Sequence, residues 1–188
     1  LEARGYRVIP AFASGLDSRP AIRKFFFDGD RVAVDAVVSL TGFSLVGGPA
    51  FNDAKAAEQM LAELDVPYIA AQPLEFQSVR EWQDSTLGLT PLEATIMVAI
   101  PELDGATGPI AFGGRDREAG SEQMVPIADR VERLADRVDR QVRLRLKPRA
   151  ERDLAIVLFN FPPNAGATGT AAFLSVFESL HRTLTALA

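Results

Sequence analysis

The sequence predicts an α/β fold with three layers, in which a mainly parallel sheet carries helices on both faces, plus the start of a second α/β unit. Two observations support this prediction. Apolar runs of strand length alternate with helical patterns of about 10–20 residues, which is typical of β–α–β units. The runs are also apolar almost throughout, as expected of parallel strands that are buried on both faces.

The first half of the chain contains three strand patterns separated by two helix patterns. Each helix pattern follows residues that favour a helix N-terminus: Asp17 or Ser18 for the first helix, and Asn52 or Asp53 for the second. In order, the sequence predicts a strand at residues 6–13, a helix at about 19–27, a strand at 33–40, a helix at about 54–64 and a strand at 66–71.

The second half begins with a polar segment at residues 72–85. Thr90 and Pro91 open a helix in which Glu93 completes a capping box, and we expect this helix to stop before Pro101. The remaining predicted elements are a short strand at 110–112, a polar loop at 115–123, a long helix at 125–147 ended by Pro148, a strand at 154–161, a loop at 164–170 and a helix from about Ala171.

Composition excludes several classes of site. The chain has no Cys and a single His, His181, which excludes disulfides, thiolate metal sites and His-rich metal sites within it. The net charge of −5 argues against a nucleic-acid partner. No uncharged apolar stretch reaches about 18 residues, so we expect no transmembrane segment and a cytoplasmic protein.

The domain organisation is predicted from the two ends and from one charged linker. Leu1 lies close to the first predicted strand, and the last residues still follow a helical pattern, so we expect the interior of a longer polypeptide. The charged segment at residues 147–152, which contains Pro148, is the predicted boundary. It separates an α/β domain at residues 1–147 from a strand–loop–helix at 148–188, which opens a second unit or completes the first.

Two glycine-bearing loops follow predicted strands at their carboxyl ends, where α/β folds place ligands. In residues 41–49, Phe43 offers an aromatic face, and Gly47 and Gly48 allow close backbone approach. In residues 164–170, Asn164 and Thr168 are candidate binding residues, but the loop matches neither phosphate-binding motif and has no nearby Lys. The alternative for both loops is an ordinary turn, with Phe43 in the core.

Three carboxylates are candidates for chemistry. Glu102 and Asp104 lie between a predicted helix and a predicted strand, where a side chain can project into a cleft, and Glu75 follows the third strand. A carboxylate can act as a general base or as a ligand of a hard cation such as Mg²⁺. The alternative for Glu102 and Asp104 is a turn carboxylate that caps the following segment, and Glu93 is expected to cap its helix.

The amino-acid sequences of three segments resemble those of the large porphyrin-binding subunits, or H subunits, of magnesium chelatases in the CobN/magnesium chelatase family. The resemblance extends over almost the whole chain, in order and without large gaps. The segments are VVSLTGFSLVGGPA at residues 37–50, LGLTPLEATIMVAIPELDGATGPIAFGG at 87–114 and DLAIVLFNFPPNAGATGTAAFLSVFESL at 153–180.

This resemblance implies a part of the enzyme that inserts Mg²⁺ into protoporphyrin IX, with both as substrates. It implies that Glu102, in the PELDG segment, is important for chelation as a base or transient Mg²⁺ ligand. Phe43, Gly47, Gly48, Glu75, Asp104, Asn164 and Thr168 would then contact substrate. An apolar residue can stand at the position of Glu75 in the family, which argues against catalysis there.

The implied partners are the rest of the large porphyrin-binding subunit and separate AAA+ motor subunits, which would bind and hydrolyse ATP. The segment from Phe159 onward looks closer to the bacteriochlorophyll branch than to the plant and cyanobacterial branch, where we expect Ser at the position of Asn160. Two alternatives remain open: the cobaltochelatase large subunit of cobalamin synthesis, and a non-catalytic α/β module that docks partners. The isolated chain is expected to be inactive.

Overall fold

The computed structural model describes residues 1–48, 50–117, 123–160, 162, 164–169 and 175–187. It divides into two compact units, Leu1–Lys147 and Pro148–Ala188, which are described separately. In chain order, the elements of the first unit are a 3₁₀ turn (Glu2–Arg4), α1 (Arg19–Phe26), β1 (Phe27–Asp28), β2 (Arg31–Val32), β3 (Val37–Ser39), β4 (Gly47–Gly48), β5 (Phe51–Asn52), α2 (Ala54–Leu64), β6 (Tyr68–Ser78), α3 (Val79–Asp84), α4 (Pro91–Glu93), a π-helical segment (Ala94–Ala99), α5 (Ile100–Asp104), β7 (Ile110–Asp116), β8 (Gln123–Pro126) and α6 (Ala128–Leu146).

The main sheet of the first unit has the strand order β3–β6–β7–β8. The central strand β6 is parallel to both β3 and β7, and β8 is antiparallel to β7. Two short hairpins, β1–β2 and β4–β5, lie outside this sheet. The predicted α/β fold with a mainly parallel sheet is therefore confirmed.

Helices cover both faces of β6 because its side chains alternate between two hydrophobic clusters. Tyr68 and Ala70 belong to the cluster that contains α2, and Ile69 and Ala71 belong to the cluster that contains α6. The α2 stripe is Ala57, Met60 and Leu64, and the α6 stripe is Leu134, Val138 and Val142. The three-layer arrangement follows from these two stripes.

Helix α2 begins and ends as its sequence predicts. Asp53 is the N-cap, and its side chain accepts a hydrogen bond of 3.0 Å from the Ala56 backbone N–H. The helix ends at Leu64 because Asp65 adopts a left-handed conformation, with φ of 44°, and its N–H bonds the Leu61 carbonyl. Both predicted bounds, residues 54 and 64, are confirmed.

The predicted strand at residues 6–13 is wrong, because these residues form no strand ladder in the structure. Tyr6 is instead held by its side chain: it packs on the α6 side of the sheet, and its hydroxyl donates to Asp139 on α6 at 2.7 Å. An apolar pattern reports burial, whereas a strand also needs a neighbouring backbone at the correct register.

Strand β6 is longer than predicted and runs to Ser78 instead of ending at residue 71. Its polar second half pairs with β7, and the register shifts between Gln72 and Pro73 and again between Leu74 and Ser78. Such bulges allow a strand to include a proline that cannot donate a ladder hydrogen bond. Glu75 therefore lies within a strand and not in the predicted loop.

The helix that was expected to stop before Pro101 continues through it to Asp104. A π-helical segment, Ala94–Ala99, precedes the proline, and the Ile100 N–H bonds the Thr95 carbonyl five residues back. A π turn shifts the hydrogen-bond pattern, which allows a residue without an N–H to follow it at the start of α5. Gly105, with φ of 106°, ends the helix.

Two other predicted bounds are wrong near the end of the first unit. Strand β7 extends to Asp116 and not to residue 112, and β8 occupies Gln123–Pro126, where the long helix was predicted to begin. Helix α6 accordingly starts at Ala128. Of the predicted polar loop at 115–123, Arg115 and Asp116 belong to β7, and residues 118–122 lie outside the described residues.

The second unit contains two 3₁₀ turns, Arg149–Glu151 and Ala165–Ala167, and helix α7 (Val176–Leu187). The predicted strand at 154–161 is wrong for the described residues 154–159, which have no ladder, although Asn160 forms an isolated bridge with Thr168. The described part of this unit supplies no neighbouring strand for the apolar run. The predicted helix start near Ala171 lies outside the described residues.

The capping box predicted for α4 is confirmed and provides a stability test. Thr90 Oγ1 accepts from the Glu93 N–H at 3.3 Å, and Glu93 Oε2 accepts from the Thr90 N–H at 2.9 Å. We expect Thr90→Ala to lower the free energy of unfolding by about 1 kcal/mol, measured by chemical denaturation. Thr95→Ala, in the π-helical segment that follows α4, is the control, because it removes a threonine hydroxyl that donates to the Pro91 carbonyl at 2.8 Å and leaves the cap intact. A Thr90→Ala variant as stable as Thr95→Ala would contradict the expectation.

Candidate functional site

The two segments that carry most of the candidate residues of the first unit are in direct contact. Asp104, at the end of α5, accepts hydrogen bonds from Ser44 Oγ and from the Leu45 N–H, both at 2.7 Å. Ser44 and Leu45 lie in the β3–β4 loop, residues 40–46, about sixty positions earlier in the chain. The contact joins the loop to the helix that carries Glu102.

Asp104 is interior, with only 1% of its surface exposed. Burial raises the pKa of its carboxyl above the ordinary value, while the hydrogen bonds from Ser44 and Leu45 act in the opposite direction. Both bonds are made to Oδ2, and Oδ1 has no hydrogen-bond partner among the described residues. Asp104 was predicted to bind substrate, and the structure places it beneath the loop instead of on its surface.

The β3–β4 loop also lies against the second half of β6. Gly42 has φ of +73°, and a Cβ atom on it would lie 3.2 Å from Pro73 Cδ. Strand β3 ends opposite Ala70 of β6, so the loop that follows β3 runs beside Gln72 and Pro73. The residue 72–76 segment therefore lies beside the loop but within the sheet, paired with β7, and not in a turn beyond the end of the strand.

The glycines predicted to admit a ligand have structural reasons for being glycine. Gly47 adopts φ of +116°, and a Cβ on it would lie 2.3 Å from the Phe51 carbonyl oxygen. A Cβ on Gly48 would lie 3.1 Å from Leu16 Cδ1. Gly47 therefore allows the β4–β5 hairpin to close, and Gly48 allows the Leu16 side chain to pack against the backbone. Phe43 is half-buried at the start of the same segment.

Glu102 lies within α5, and its side chain is exposed. Positions two apart on a helix project in roughly opposite directions, so the inward orientation of Asp104 turns Glu102 outward. No side chain or backbone group in the described parts of the chain forms a hydrogen bond or ion pair with the Glu102 carboxylate. Leu103, the next residue in the chain, is 68% exposed.

Glu75 is exposed in β6, and its backbone carbonyl accepts from Arg115 Nε at 3.2 Å. Its position on β6 places it beyond Gln72 and Pro73, which contact the loop. The contacts of Glu75 are therefore with β7, and those of Gly47 and Gly48 are with β5 and Leu16.

Asn164 and Thr168 belong to the second unit. The Asn164 amide donates to the Pro162 carbonyl at 3.3 Å, and Thr168 is half-buried in its bridge with Asn160. The Gly169 N–H bonds the Phe159 carbonyl at 2.8 Å. These contacts fold the loop back onto the segment before it, which supports the tight-turn alternative.

Sequence reasoning missed the buried polar groups on the α2 side of the sheet. Tyr68 and Gln72 follow the alternation of β6 onto this side, and the Tyr68 hydroxyl and Gln72 Oε1 have no hydrogen-bond partner in the described ranges. Burial raises the pKa of Tyr68 to about 12, Ser39 lowers it, and the Asp104 charge raises it. Ser44 is another buried polar residue, and its position within an apolar run of the sequence is a signal that could have indicated these buried polar groups.

Two kinds of feature are absent from the described residues. No group of three or more His, Cys, Asp or Glu side chains in them is arranged to hold a metal ion. No helix among them has the length and apolar character needed to cross a membrane. The guanidinium carbon of Arg130 lies 5.1 Å from the centroid of the ring of Trp82, the single Trp. His181, the single His, is exposed on α7.

Comparison with known proteins defines the class of protein to which this fold and site belong. A family model described as CobN/Magnesium Chelatase matches residues 1–188. The chain belongs to the CobN/magnesium chelatase family.

Individual relatives place it more narrowly. The chain is 50% identical to the magnesium-chelatase H subunit of Rhodobacter capsulatus, covering 100% of the chain and 17% of the relative. It is 48% identical to the chloroplastic magnesium-chelatase ChlH protein of Oryza sativa subsp. indica, covering 98% of the chain and 13% of the relative. The chain thus spans under a fifth of the length of these relatives.

A solved structure shares the fold. The catalytic subunit of cobaltochelatase from Mycobacterium tuberculosis superimposes with a TM-score of 0.66 and 25% sequence identity. The match covers 82% of this chain and 13% of that protein. This chain and the cobaltochelatase subunit therefore share the α/β fold.

Proposed function

We propose that the complete polypeptide containing this chain is the porphyrin-binding subunit of a magnesium chelatase. In this proposal it binds protoporphyrin IX and Mg²⁺ as substrates and inserts the metal during bacteriochlorophyll or chlorophyll biosynthesis in the cytoplasm. AAA+ motor subunits supply ATP hydrolysis. The observation that carries the proposal is the 50% identity to a magnesium-chelatase H subunit across the whole chain.

The geometry of the first unit supports a substrate surface that includes Glu102. The carboxylate is exposed and without a bonding partner in the described residues, and the exposed Leu103 beside it suits an apolar macrocycle. Insertion of a divalent metal removes two protons from pyrrole nitrogens, and a carboxylate can accept a proton or exchange with a water on Mg²⁺. The contact through Asp104 joins this helix to the loop that carries Phe43.

The cobaltochelatase large subunit is the second candidate, which the shared fold with a cobaltochelatase catalytic subunit favours. The lower identity of that match, 25% against 50%, argues for magnesium chelatase. A docking module without catalytic residues is the third possibility, since the chain is a small part of its relatives.

The complete polypeptide should bind protoporphyrin IX, seen as a saturable change in porphyrin absorbance. With motor subunits and ATP it should insert Mg²⁺ into protoporphyrin IX, measured by the fluorescence of the product. The 188-residue chain should be titrated in parallel, following Trp82 quenching. Insertion of Co²⁺ into a corrin, without Mg²⁺ insertion, would instead identify a cobaltochelatase. If the complete polypeptide binds porphyrin and the 188-residue chain does not, the docking role for this chain is favoured.

A further inference from the structure

We infer that Asp104 is a positioning residue, whose buried carboxylate fixes the β3–β4 loop against α5 and thereby sets the relative positions of Phe43 and Glu102. The step from loop geometry to porphyrin affinity rests on the proposed function. The step from Asp104 to loop geometry does not, because it follows from contacts within the first unit.

A single oxygen atom makes both bonds. Asp104 Oδ2 accepts from Ser44 Oγ and from the Leu45 N–H, each at 2.7 Å, and Ser44 Oγ accepts from the Val46 N–H at 3.2 Å. Three consecutive loop residues are therefore ordered around one carboxylate.

The surroundings of Asp104 exclude a role at the surface of the site. The side chain is 1% exposed, and it makes no ion pair with any cationic side chain in the described residues. Burying a carboxylate without a cationic partner lowers the stability of the fold. The structural role of Asp104 therefore lies in the hydrogen bonds that it accepts from the loop. No substrate atom can reach Oδ2, because the loop backbone already occupies that side.

The same contact orients the catalytic candidate. Asp104 and Glu102 lie two positions apart on α5, so holding one inward directs the other outward. Without the bonds to Ser44 and Leu45, the loop is no longer held against α5. The ligand must then order the loop and the helix relative to each other when it binds. Ligand affinity falls when a site must be ordered by the ligand.

Two substitutions at Asp104 separate position from charge. Asp104→Ala removes both bonds. Asp104→Asn keeps the shape, and its side-chain oxygen can occupy the place of Oδ2 and accept both bonds, without the charge. Val138→Ala is the matched control, because Val138 is a buried residue of the cluster on the other face of the sheet.

The first measurement is amide hydrogen exchange of the complete polypeptide at residues 44–46. We expect Asp104→Ala to accelerate exchange there by about tenfold or more, on the order of a lost buried hydrogen bond, while β6 stays protected. Asp104→Asn and Val138→Ala should leave these amides protected. If Asp104→Ala does not fold, Ser44→Ala removes the Ser44–Asp104 bond together with the Val46 N–H bond to Ser44 Oγ. Exchange should then accelerate at Leu45 as well as at Val46, although the Leu45 N–H keeps its own acceptor on Asp104.

The second measurement is the dissociation constant for protoporphyrin IX. It should rise about tenfold in Asp104→Ala and stay within about threefold in Asp104→Asn and Val138→Ala. Unchanged exchange at residues 44–46 in the folded Asp104→Ala or Ser44→Ala protein would overturn the inference. So would an Asp104→Asn protein as defective in porphyrin binding as Asp104→Ala, because the charge itself would then be required. If the parent protein binds no porphyrin while exchange responds as expected, the proposed function fails and the positioning role of Asp104 stands.

Discussion

Glu102→Gln in the complete polypeptide is expected to lower the rate of Mg²⁺ insertion by about 10²–10⁴-fold, the usual loss when a general base is removed. Glutamine keeps the size and hydrogen-bonding ability of the side chain but can neither accept a pyrrole proton nor offer an anionic oxygen to Mg²⁺. The fold should be unaffected, because Glu102 is exposed and bonded to no described residue. The measurement is the initial rate of Mg-porphyrin formation with motor subunits and ATP.

The dissociation constant for protoporphyrin IX shows whether Glu102→Gln affects porphyrin binding or the insertion step. The dissociation constant for protoporphyrin IX should stay close to that of the parent, because the missing interaction belongs to the reacting step and not to uniform binding. Glu132→Gln, an exposed glutamate on α6, is the control and should leave the rate unchanged. Equal insertion rates in Glu102→Gln and the parent would reject the catalytic role, and a lower melting temperature would favour a structural one.

Sequence reasoning succeeded where the deciding interactions are local. The bounds of α2 follow from an N-cap, Asp53, that bonds three residues ahead, and from a spacing of apolar residues that matches one helix face. The α4 capping box joins Thr90 to Glu93 in the same way. These signals lie within a single helical turn, so they can be read without knowledge of the fold.

It failed where the deciding interaction is distant or needs a particular register. Residues 6–13 have the composition of a strand but pack by side chains such as Tyr6 and form no ladder. Gln72–Ser78 is polar enough to suggest a loop, yet its backbone pairs with β7 across two bulges. Pro101 suggested a helix end, and the π-helical turn before it removes that obstacle.

In the candidate site, too, local sequence signals could be read and distant contacts could not. The PELDG and TGFSLVGG segments carry the resemblance to the family, but the bond between Asp104 and Ser44 spans sixty positions and has no local signature. Gly47 and Asp104 were therefore assigned to ligand contact, whereas the structure shows their contacts within the protein. Ligand contact at the other candidate residues stays a prediction.

Gly47→Ala is expected to destabilise the first unit by about 2–4 kcal/mol, the range of a severe backbone conflict. An alanine must adopt φ of +116°, which side chains with a Cβ rarely allow, and its Cβ would lie 2.3 Å from the Phe51 carbonyl oxygen and 2.5 Å from Asn52 Cα. Both are backbone atoms of the partner strand, so no side-chain rotation relieves the overlap. The measurement is the free energy of unfolding of the 188-residue chain by chemical denaturation.

The conflict should extend to the loop and to α2. The Gly47 N–H donates to the Leu16 carbonyl at 2.6 Å, and the Asp53 N–H that follows the hairpin donates to the Val46 carbonyl at 2.8 Å. Opening the β4–β5 hairpin therefore loosens both the segment bonded to Asp104 and the cap of α2. Gly15→Ala is the control, since a Cβ there meets open space at an ordinary φ. If Gly47→Ala is as stable as Gly15→Ala, the hairpin does not require glycine, and ligand approach becomes the better explanation of this position.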